Sequence, residues 1–392
     1  MKGRREMSLP LSELNDRIAK VRKLIDEKNF DFVFVYFDEL NVMNGRYLSG
    51  FCPTIERGAV VVSNYCEPFL IGGPESGPYA KLESAIKETV AVSVFMVPEE
   101  EYPLSEILRF KQIADKYFGG RKIKRVGLVG INSVPQLIYS QLQEDLEGAE
   151  IVDVTDDFEE FRYVKSSWEI EQLKKAYEIA DAAFPKMMEA MVEGNREYEA
   201  AAEAEYVARK MGSDGLGYRT IIGTEERSGA IVPVYSDRIF KNGELVNAGF
   251  SPRYNGYSAT ACYPVIVGGK PNQMQVEWTK DLTEALRLTC RALKPGMSGV
   301  EIDAVPRKYL LDKGYGEWMM MPFVHNSGLS EFEKPFFGPT SQDIVQENQV
   351  ICIDIALFNN PQIPGIRVET GYLVTSNGAV PMSPYFVKLL GF

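Results

Sequence analysis

The chain contains a single histidine, His325, and an imidazole changes its charge between about pH 5 and pH 8. Such a group can pass a proton to a leaving nitrogen near neutral pH. His325 follows the apolar run Met321–Val324, a setting in which a lone histidine is most often a core residue. A core position and an active-site role are therefore both open for this residue.

Two carboxylates in the last third of the chain lie within apolar or β-branched runs. Asp354 lies between two isoleucines, and Glu369 follows Val368. A carboxylate directed into a core needs a partner or a function. Arg367 has the same strand parity as Glu369, so a structural ion pair between them competes with a role in a site. If Asp354 and Glu369 face one cavity, their like charges make it a cation site unless Arg367 intervenes.

Cysteine chemistry is a further possibility. The five cysteines are scattered and show no CxxC spacing, which indicates reduced thiols and no cysteine zinc site. Cys262 could act as a nucleophile if His325 and a carboxylate lay nearby, but a buried cysteine is most often a small apolar residue. Tyr257 either orients a ligand or packs in the core.

The pattern of the chain changes near residue 160, which predicts two domains, residues 1–160 and 161–392. An amphipathic helix that ends near Asn29 is followed by short β-branched strands separated by helices, so an α/β domain with a mixed sheet is predicted. Ser166 stands three residues before Glu169, a capping-box spacing that predicts the start of a long helix. For the second domain we expect a curved antiparallel sheet backed by helices.

The overall charge limits the classes of partner. The net charge of −12 argues against binding a phosphate backbone, which requires clustered lysine and arginine. No stretch is long and charge-free enough to span a bilayer, and we find no apolar stretch of signal-peptide length. We therefore expect a cytoplasmic protein with no nucleic-acid or membrane partner.

Short motifs recur in a consistent order along nearly the whole chain. They are Arg46–Phe51 (RYLSGF), Phe161–Ile170 (FRYVKSSWEI), Gly243–Val246 (GELV), Tyr254–Tyr257 (YNGY), His325–Pro335 (HNSGLSEFEKP), Gly365–Glu369 (GIRVE) and Leu373–Thr375 (LVT). Together they resemble the creatinase/aminopeptidase P/prolidase family, with departures most similar to those of metal-free creatinase. The resemblance implies an α/β N-terminal domain, an α+β pita-bread (creatinase-like) C-terminal domain and a homodimer.

Peptidases of this family hold two cations with five ligands, and the resemblance places ionisable groups at three of those positions: His325, Asp354 and Glu369. Neutral residues stand at the positions of the two aspartates: Asn247 and Thr260. Neutral side chains do not offset the cost of stripping water from two dications. A two-metal site is therefore not expected.

Creatinase itself also has an asparagine at the position of Asn247. The chain nevertheless lacks two creatinase groups, because the acid/base histidine corresponds to Val232 and a substrate-binding glutamate corresponds to Cys262. A further family histidine corresponds to Phe332. Of the two glutamates that flank Phe332, at positions 331 and 333, we expect at least one to face solvent.

These observations favour a metal-independent, creatinase-like hydrolase that cleaves a C–N bond of a small polar metabolite (amidino, guanidino or amide) without a cofactor. The predicted catalytic residues are His325, Glu369, Asp354 and Cys262. The predicted substrate-binding residues are Asn247, Tyr257, Thr260, Glu333, Arg367 and Arg57, of which Arg57 would reach from the N-terminal domain into the cleft of a second subunit. Two alternatives stay open. One is an Xaa-Pro dipeptidase or aminopeptidase with one metal at His325, Asp354 and Glu369, and the other is a catalytically silent protein that binds a peptide or small ligand.

Overall fold

A computed structural model describes residues 9–392 of the chain. It contains two compact units, Met1–Arg162 and Tyr163–Phe392. Among the described residues, no helix has both the length and the apolar character needed to cross a bilayer.

The described part of the first unit alternates helices and strands. In chain order they are α1 (Leu11–Lys28), β1 (Phe32–Phe37), α2 (Met43–Ser49), β2 (Gly58–Ser63), β3 (Phe69–Gly72), α3 (Ser76–Glu83), β4 (Thr89–Val92), β5 (Ile107–Leu108), α4 (Phe110–Phe118), β6 (Arg125–Val129), α5 (Gln136–Asp145), β7 (Glu150–Asp153) and α6 (Thr155–Glu159). The first helix ends where the sequence predicts, since Asn29 follows it in the left-handed conformation with φ of 55°.

The strands of the first unit form one mixed sheet in the order β5-β4-β3-β2-β1-β6-β7. Strand β2 pairs antiparallel with β1 and β3, whereas the outer pairs are parallel. Every residue of β1 is buried, as expected for a strand in a sheet that is covered on both faces. Phe34 on this strand packs edge-on against Phe110 of α4, with ring centroids 5.8 Å apart.

The second unit begins with two helices and continues with an antiparallel sheet. Its elements are α7 (Ser167–Ala190), α8 (Glu197–Lys210), β8 (Gly215–Leu216), β9 (Ile221–Thr224), β10 (Leu245–Phe250), β11 (Pro252–Tyr254), β12 (Tyr257–Ser258), β13 (Ala261–Ile266), α9 (Gln273–Ala292), α10 (Gly299–Asp312), β14 (Val324–Asn326), β15 (Glu333–Phe337), β16 (Val350–Phe358), β17 (Gly365–Thr375), β18 (Gly378–Pro381) and α11 (Pro384–Leu390).

The main sheet of the second unit has the order β15-β14-β16-β17-β13-β10-β9, with β18 paired to β17. All of these pairs are antiparallel. Helix α9 packs on β16 and β17, and both central strands are almost entirely buried. This is the antiparallel sheet backed by helices that the sequence predicts, and it carries the candidate site.

The predicted capping box forms at the start of α7. The Ser166 amide donates to Glu169 Oε2 at 2.9 Å, and the Glu169 amide donates to Ser166 Oγ at 3.2 Å. Glu169 uses its other oxygen, Oε1, to accept a hydrogen bond from the Tyr257 hydroxyl at 2.9 Å. The helix start therefore also holds the turn between β11 and β12 in place.

We predict that Ser166→Ala lowers the free energy of unfolding by about 1 kcal/mol, because an N-cap hydroxyl is lost and an amide is left without its acceptor. The neighbouring Ser167→Ala, at an exposed position inside the first turn, is the matched control and should change stability little. Urea unfolding of both variants gives the comparison. Equal stability of the two variants would show that the cap does not contribute.

Candidate active site

The register of the central strands brings the candidate residues together. Glu369 on β17 lies opposite Asp354 on β16 and opposite Cys262 on β13. His325 on β14 lies opposite Cys352 on β16. Because side chains alternate between the faces of a strand, Cys352 and Asp354 point to the same face of β16. These five side chains therefore cluster where β14, β16, β17 and β13 lie side by side.

A cavity of about 320 Å³ opens onto three side chains of this cluster, those of His325, Asp354 and Glu369, whereas Cys262 and Cys352 do not line it. Apolar or aromatic side chains line part of the cavity: Tyr218, Ile221, Ile231, Val232, Met321 and Phe332. Ionisable side chains also line it: His325, Glu331, Asp354, Arg367 and Glu369. A cavity that combines apolar surface with a few convergent charged groups is typical of a small-molecule site.

His325 is buried and is held by hydrogen bonds at both ring nitrogens. Its Nδ1 donates to the carbonyl of Asn326 at 3.0 Å, and its Nε2 lies 3.4 Å from Glu369 Oε1 and 3.9 Å from Glu331 Oε1. Burial alone would lower the pKa of His325, but the hydrogen bond to Glu369 and the charge of Glu331 outweigh it and raise the pKa to about 9. Without a bound cation, these carboxylates favour the charged form of the imidazole.

Glu331 lies in the cavity although sequence reasoning did not assign it there. The residue is only 8% exposed, and its Oε1 has no hydrogen-bond partner. Burial, followed by the charge of Glu369, raises the pKa of Glu331 to about 8. The expectation that Glu331 or Glu333 faces solvent is wrong, because both are buried and Phe332 between them is 51% exposed. A sequence signal that could have indicated this is the spacing of two residues between the glutamates, which puts both on one side of an extended chain.

The donor atoms of four buried side chains lie within 4.8 Å of one another: His325, Glu331, Cys352 and Glu369. An imidazole, two carboxylates and a thiol are ligands that a divalent transition metal accepts in a four-coordinate site. The unpartnered Oε1 of Glu331 is an oxygen of the kind that a cation would satisfy. The described residues therefore fit one metal ion.

Asp354 is engaged elsewhere and is not part of this set. Its Oδ1 lies 3.2 Å from Nε of the buried Arg367, whereas Arg367 Nη1 is 3.9 Å from Glu369 Oε2. The structural ion pair of Arg367 is therefore formed chiefly with Asp354, and not with Glu369 as the strand parity allowed. Burial raises the pKa of Asp354 to about 7 although Arg367 opposes the shift.

A second metal ion does not fit the residues at the two former aspartate positions. Asn247 donates from Nδ2 to the carbonyl of Ser228 at 3.3 Å, and Thr260 Oγ1 lies 3.3 Å from the Tyr218 hydroxyl. Neither side chain carries charge, and the carboxylate of Asp354 lies next to the guanidinium of Arg367. Without carboxylates to compensate it, a second dication would be too costly to dehydrate.

The predicted nucleophile, Cys262, is a hydrogen-bond donor in the structure. Its Sγ–H donates to Glu369 Oε2 at 3.2 Å, and the Tyr218 hydroxyl lies 3.3 Å from the same sulfur. Burial raises the pKa of the Cys262 thiol well above its ordinary value. A catalytic role for Cys262 stays a prediction.

Four predicted substrate-binding residues of the second unit do not line this cavity: Asn247, Tyr257, Thr260 and Glu333. Tyr257 is buried and bonded to Glu169, as described above. Glu333 forms a buried ion pair with Lys165, with Oε1 2.8 Å from Nζ. Arg57 belongs to the first unit, where it is exposed and lines a different cavity of about 240 Å³. The substrate-binding roles of these residues, and of Asn247, Thr260 and Arg367, stay predictions.

Comparison with known proteins gives relatives along nearly the whole chain. The Xaa-Pro dipeptidase of Pyrococcus furiosus is 28% identical over 375 residues, which cover 93% of this chain and 97% of the relative. The prolidase structure from Pyrococcus horikoshii OT3 matches with a TM-score of 0.81 and 27% identity, over 94% of this chain and 98% of that chain. An Xaa-Pro dipeptidase structure from Bacillus anthracis matches with a TM-score of 0.80 and 25% identity, over 95% and 98% of the two chains.

These relatives overturn the expectation of a metal-independent, creatinase-like hydrolase of small metabolites. They are named as Xaa-Pro dipeptidases and prolidases, and they favour the peptidase alternative instead. The error came from counting ligands only at the positions of the family pattern. That count finds no ligand at the two aspartate positions, which are Asn247 and Thr260. It does not include Glu331 and Cys352, which the fold brings close to His325 and Glu369.

Two family profiles match the chain in order. The creatinase/prolidase N-terminal domain matches residues 17–164, and metallopeptidase family M24 matches residues 171–376. The second match alone covers just over half of the chain, and the pita-bread architecture agrees with that of the prolidase structures. The chain therefore belongs to metallopeptidase family M24, whose members hydrolyse C–N bonds of peptides, and it has the two-domain creatinase/prolidase architecture.

Proposed function

We propose that the protein is a peptidase that uses one divalent cation to hydrolyse short peptides of the Xaa-Pro type. The observation that carries this proposal is the convergence of His325, Glu331 and Glu369 at a cavity whose remaining lining is largely apolar. Such a cation would supply the Lewis acidity that polarises a peptide carbonyl and activates water. The names of the relatives support the choice of substrate class.

The apolar part of the cavity offers a surface for a proline ring. Ile231 and Val232 lie in the segment after the 3-10 helix Glu225–Gly229, and Phe332 packs edge-on against His325 with ring centroids 4.8 Å apart. Ile231 has a φ of 56°, an unusual conformation for a β-branched residue. Residues in such conformations persist where the surrounding structure over-determines them, often at ligand sites. The segment is thus held with its side chains at the cavity.

The charged part of the cavity is balanced once a cation is bound. Glu331 and Glu369 would face the cation, and Arg367 offsets Asp354 through the 3.2 Å contact. No carboxylate of this lining is then left to attract a protonated amine. The preference for an Xaa-Pro peptide therefore rests on the apolar part of the cavity and on the names of the relatives.

His325 has a defined role in this arrangement. Its Nδ1 is fixed by the carbonyl of Asn326, so Nε2 is the nitrogen directed at Glu369 and Glu331. As a ligand the imidazole would use Nε2 in its neutral form, and the Asn326 carbonyl would set its orientation. Loss of this orientation would cost affinity for the cation.

A catalytically silent, ligand-binding protein is the second candidate. The observation that favours it is the neutral pair Asn247 and Thr260, together with the contact between Arg367 and Asp354, which removes the second cation of the family pattern. Calorimetry with Xaa-Pro dipeptides separates the two candidates. If protein loaded with Zn²⁺, Co²⁺ or Mn²⁺ binds a dipeptide but does not hydrolyse it, the result would support the catalytically silent, ligand-binding function.

The homodimer implied by the family resemblance and the cytoplasmic location stay predictions. Arg57 is exposed in the loop before β2, which is compatible with its predicted reach into a second subunit. Light scattering on the full chain tests the assembly.

We predict that removing metal with a chelator lowers the turnover of Xaa-Pro dipeptides by at least ~100-fold, because a Lewis acid contributes several kcal/mol to such a reaction. One equivalent of a divalent transition metal should restore it. Glu331→Gln should lower both metal content and turnover, whereas the same change at the exposed Glu347 should alter neither. Turnover that persists in chelator, or full activity of Glu331→Gln, would contradict the proposal.

We also predict that Val232→Asn lowers kcat/KM for Xaa-Pro dipeptides by roughly 10-fold, mainly through KM, because a polar amide replaces apolar surface that contacts the substrate. Val232 is 57% exposed, and Val380 on β18 is 49% exposed but lies outside the cavity lining. Val380→Asn is therefore the matched control. Steady-state kinetics on both variants should show the effect at position 232 alone.

A further inference from the structure

We propose that Cys352 supplies a thiolate ligand to the metal centre, which makes it a mixed site that selects Zn²⁺ or Co²⁺ over Mg²⁺, Ca²⁺ and Mn²⁺. This inference rests on the proposed one-metal peptidase and specifies the ligands and the metal class of the same site. The other ligands are His325, Glu331 and Glu369. The set differs from that of the one-metal alternative left open by the sequence, in which Asp354 takes part.

The position of Cys352 follows from strand register. Cys352 lies opposite His325 in the β14–β16 pair and opposite Gly371 in the β16–β17 pair. Residues opposite one another in an antiparallel pair share a face, so the thiol and the imidazole point to the same side of the sheet. The sulfur is fully buried and lies within 4.8 Å of each of the other three donor atoms.

The space behind Cys352 is closed by an aromatic side chain. The hydroxyl of Tyr177 on α7 lies 4.0 Å from Cys352 Sγ. A Cβ at position 371 would overlap this hydroxyl, so Gly371 is needed for its approach. The sulfur therefore has protein on one side and the cluster of ligand atoms on the other.

A second, independent observation at Glu331 points to a ligand. This side chain is nine-tenths buried, and its Oε1 has no hydrogen-bond partner although His325 Nε2 lies 3.9 Å away. A buried carboxylate oxygen without a partner is costly. A cation between Glu331, Glu369 and Cys352 would satisfy this oxygen.

Asp354 cannot take the place of Cys352 without a rearrangement. Its Oδ1 lies 3.2 Å from Nε of the buried Arg367, and a ligand role would require the carboxylate to give up this contact. Cys352 has no such competing charge partner among the contacts described here. Strand β16 thus offers the thiol, and not the carboxylate two residues later, to the cation.

The thiolate determines which metal the site prefers. Soft thiolate ligands favour Zn²⁺ and other late transition metals, whereas Mg²⁺, Ca²⁺ and Mn²⁺ favour all-oxygen sites. Binding also displaces the thiol proton, so one proton is released from Cys352 for each metal ion bound.

Cys262 provides a matched control for the thiol. It is also buried, and its Sγ lies 3.2 Å from Glu369 Oε2, yet it is outside the set of mutually close donor atoms. Cys262→Ser and Cys352→Ser thus make the same chemical change on either side of Glu369. Cys352→Ala serves if the serine variant does not fold.

The test loads metal-stripped, full-length protein with Co²⁺ and records the near-ultraviolet absorption. A thiolate bonded to Co²⁺ gives an intense charge-transfer band that oxygen and nitrogen ligands do not give. We expect the band in the wild type and in Cys262→Ser, and its loss in Cys352→Ser together with at least ~10-fold weaker Co²⁺ binding, since even outer-shell changes cost that much. Zn²⁺ should abolish the band at one equivalent, whereas Mn²⁺ in large excess should not.

The outcomes separate this inference from the proposed function when Xaa-Pro hydrolysis is measured on the same samples. Bound Co²⁺ with turnover but no band would overturn the role of Cys352 and leave the peptidase intact. A band lost in Cys262→Ser and kept in Cys352→Ser would also overturn it. A band that follows Cys352 without any turnover would support the metal site and overturn the peptidase.

Discussion

The cost of burying several carboxylates at the centre of one antiparallel sheet determines the chemistry of this protein. Glu331, Asp354 and Glu369 line the same cavity, and each would be strongly destabilising there without a compensating charge. Arg367 compensates Asp354, and His325 lies between the other two. A shared cation would stabilise the carboxylates of Glu331 and Glu369 together with the thiol of Cys352, which lie close to one another. In the proposed peptidase, the apolar lining around them would determine which peptide can approach the cation.

Sequence reasoning predicted the class of each domain and the ends of two helices, but it predicted no strand pairing. The end of α1 at Asn29 and the start of α7 after Ser166 follow from local rules, because the left-handed conformation and the capping box involve only neighbouring residues. His325 and Glu369 were recognised from motifs, and the structure brings their side chains to 3.4 Å.

Local patterns could not determine the direction of Glu331, because its direction depends on tertiary pairing. The register between β14 and β15 shifts between His325 and Asn326, so the residues before β15 do not continue a regular ladder. Their spacing of two residues can indicate that Glu331 and Glu333 share a side of an extended chain, but not which side is buried. Arg367 posed the same problem. Its parity allowed a pair with Glu369, whereas Asp354, its diagonal neighbour on the adjacent strand, is nearer. The metal-free interpretation failed for this reason, since it rested on positions in a motif and not on the side chains that the sheet assembles.

The proposed cation site is distinguished by a ligand set that includes Glu331 and excludes Asp354. It can be tested by anomalous diffraction from crystals of the Zn²⁺-loaded protein, collected on both sides of the zinc absorption edge. We expect one anomalous peak within bonding distance of His325, Glu331 and Glu369, with the contact between Arg367 and Asp354 intact. Two peaks, or a single peak bonded to Asp354 with Glu331 turned away, would contradict it.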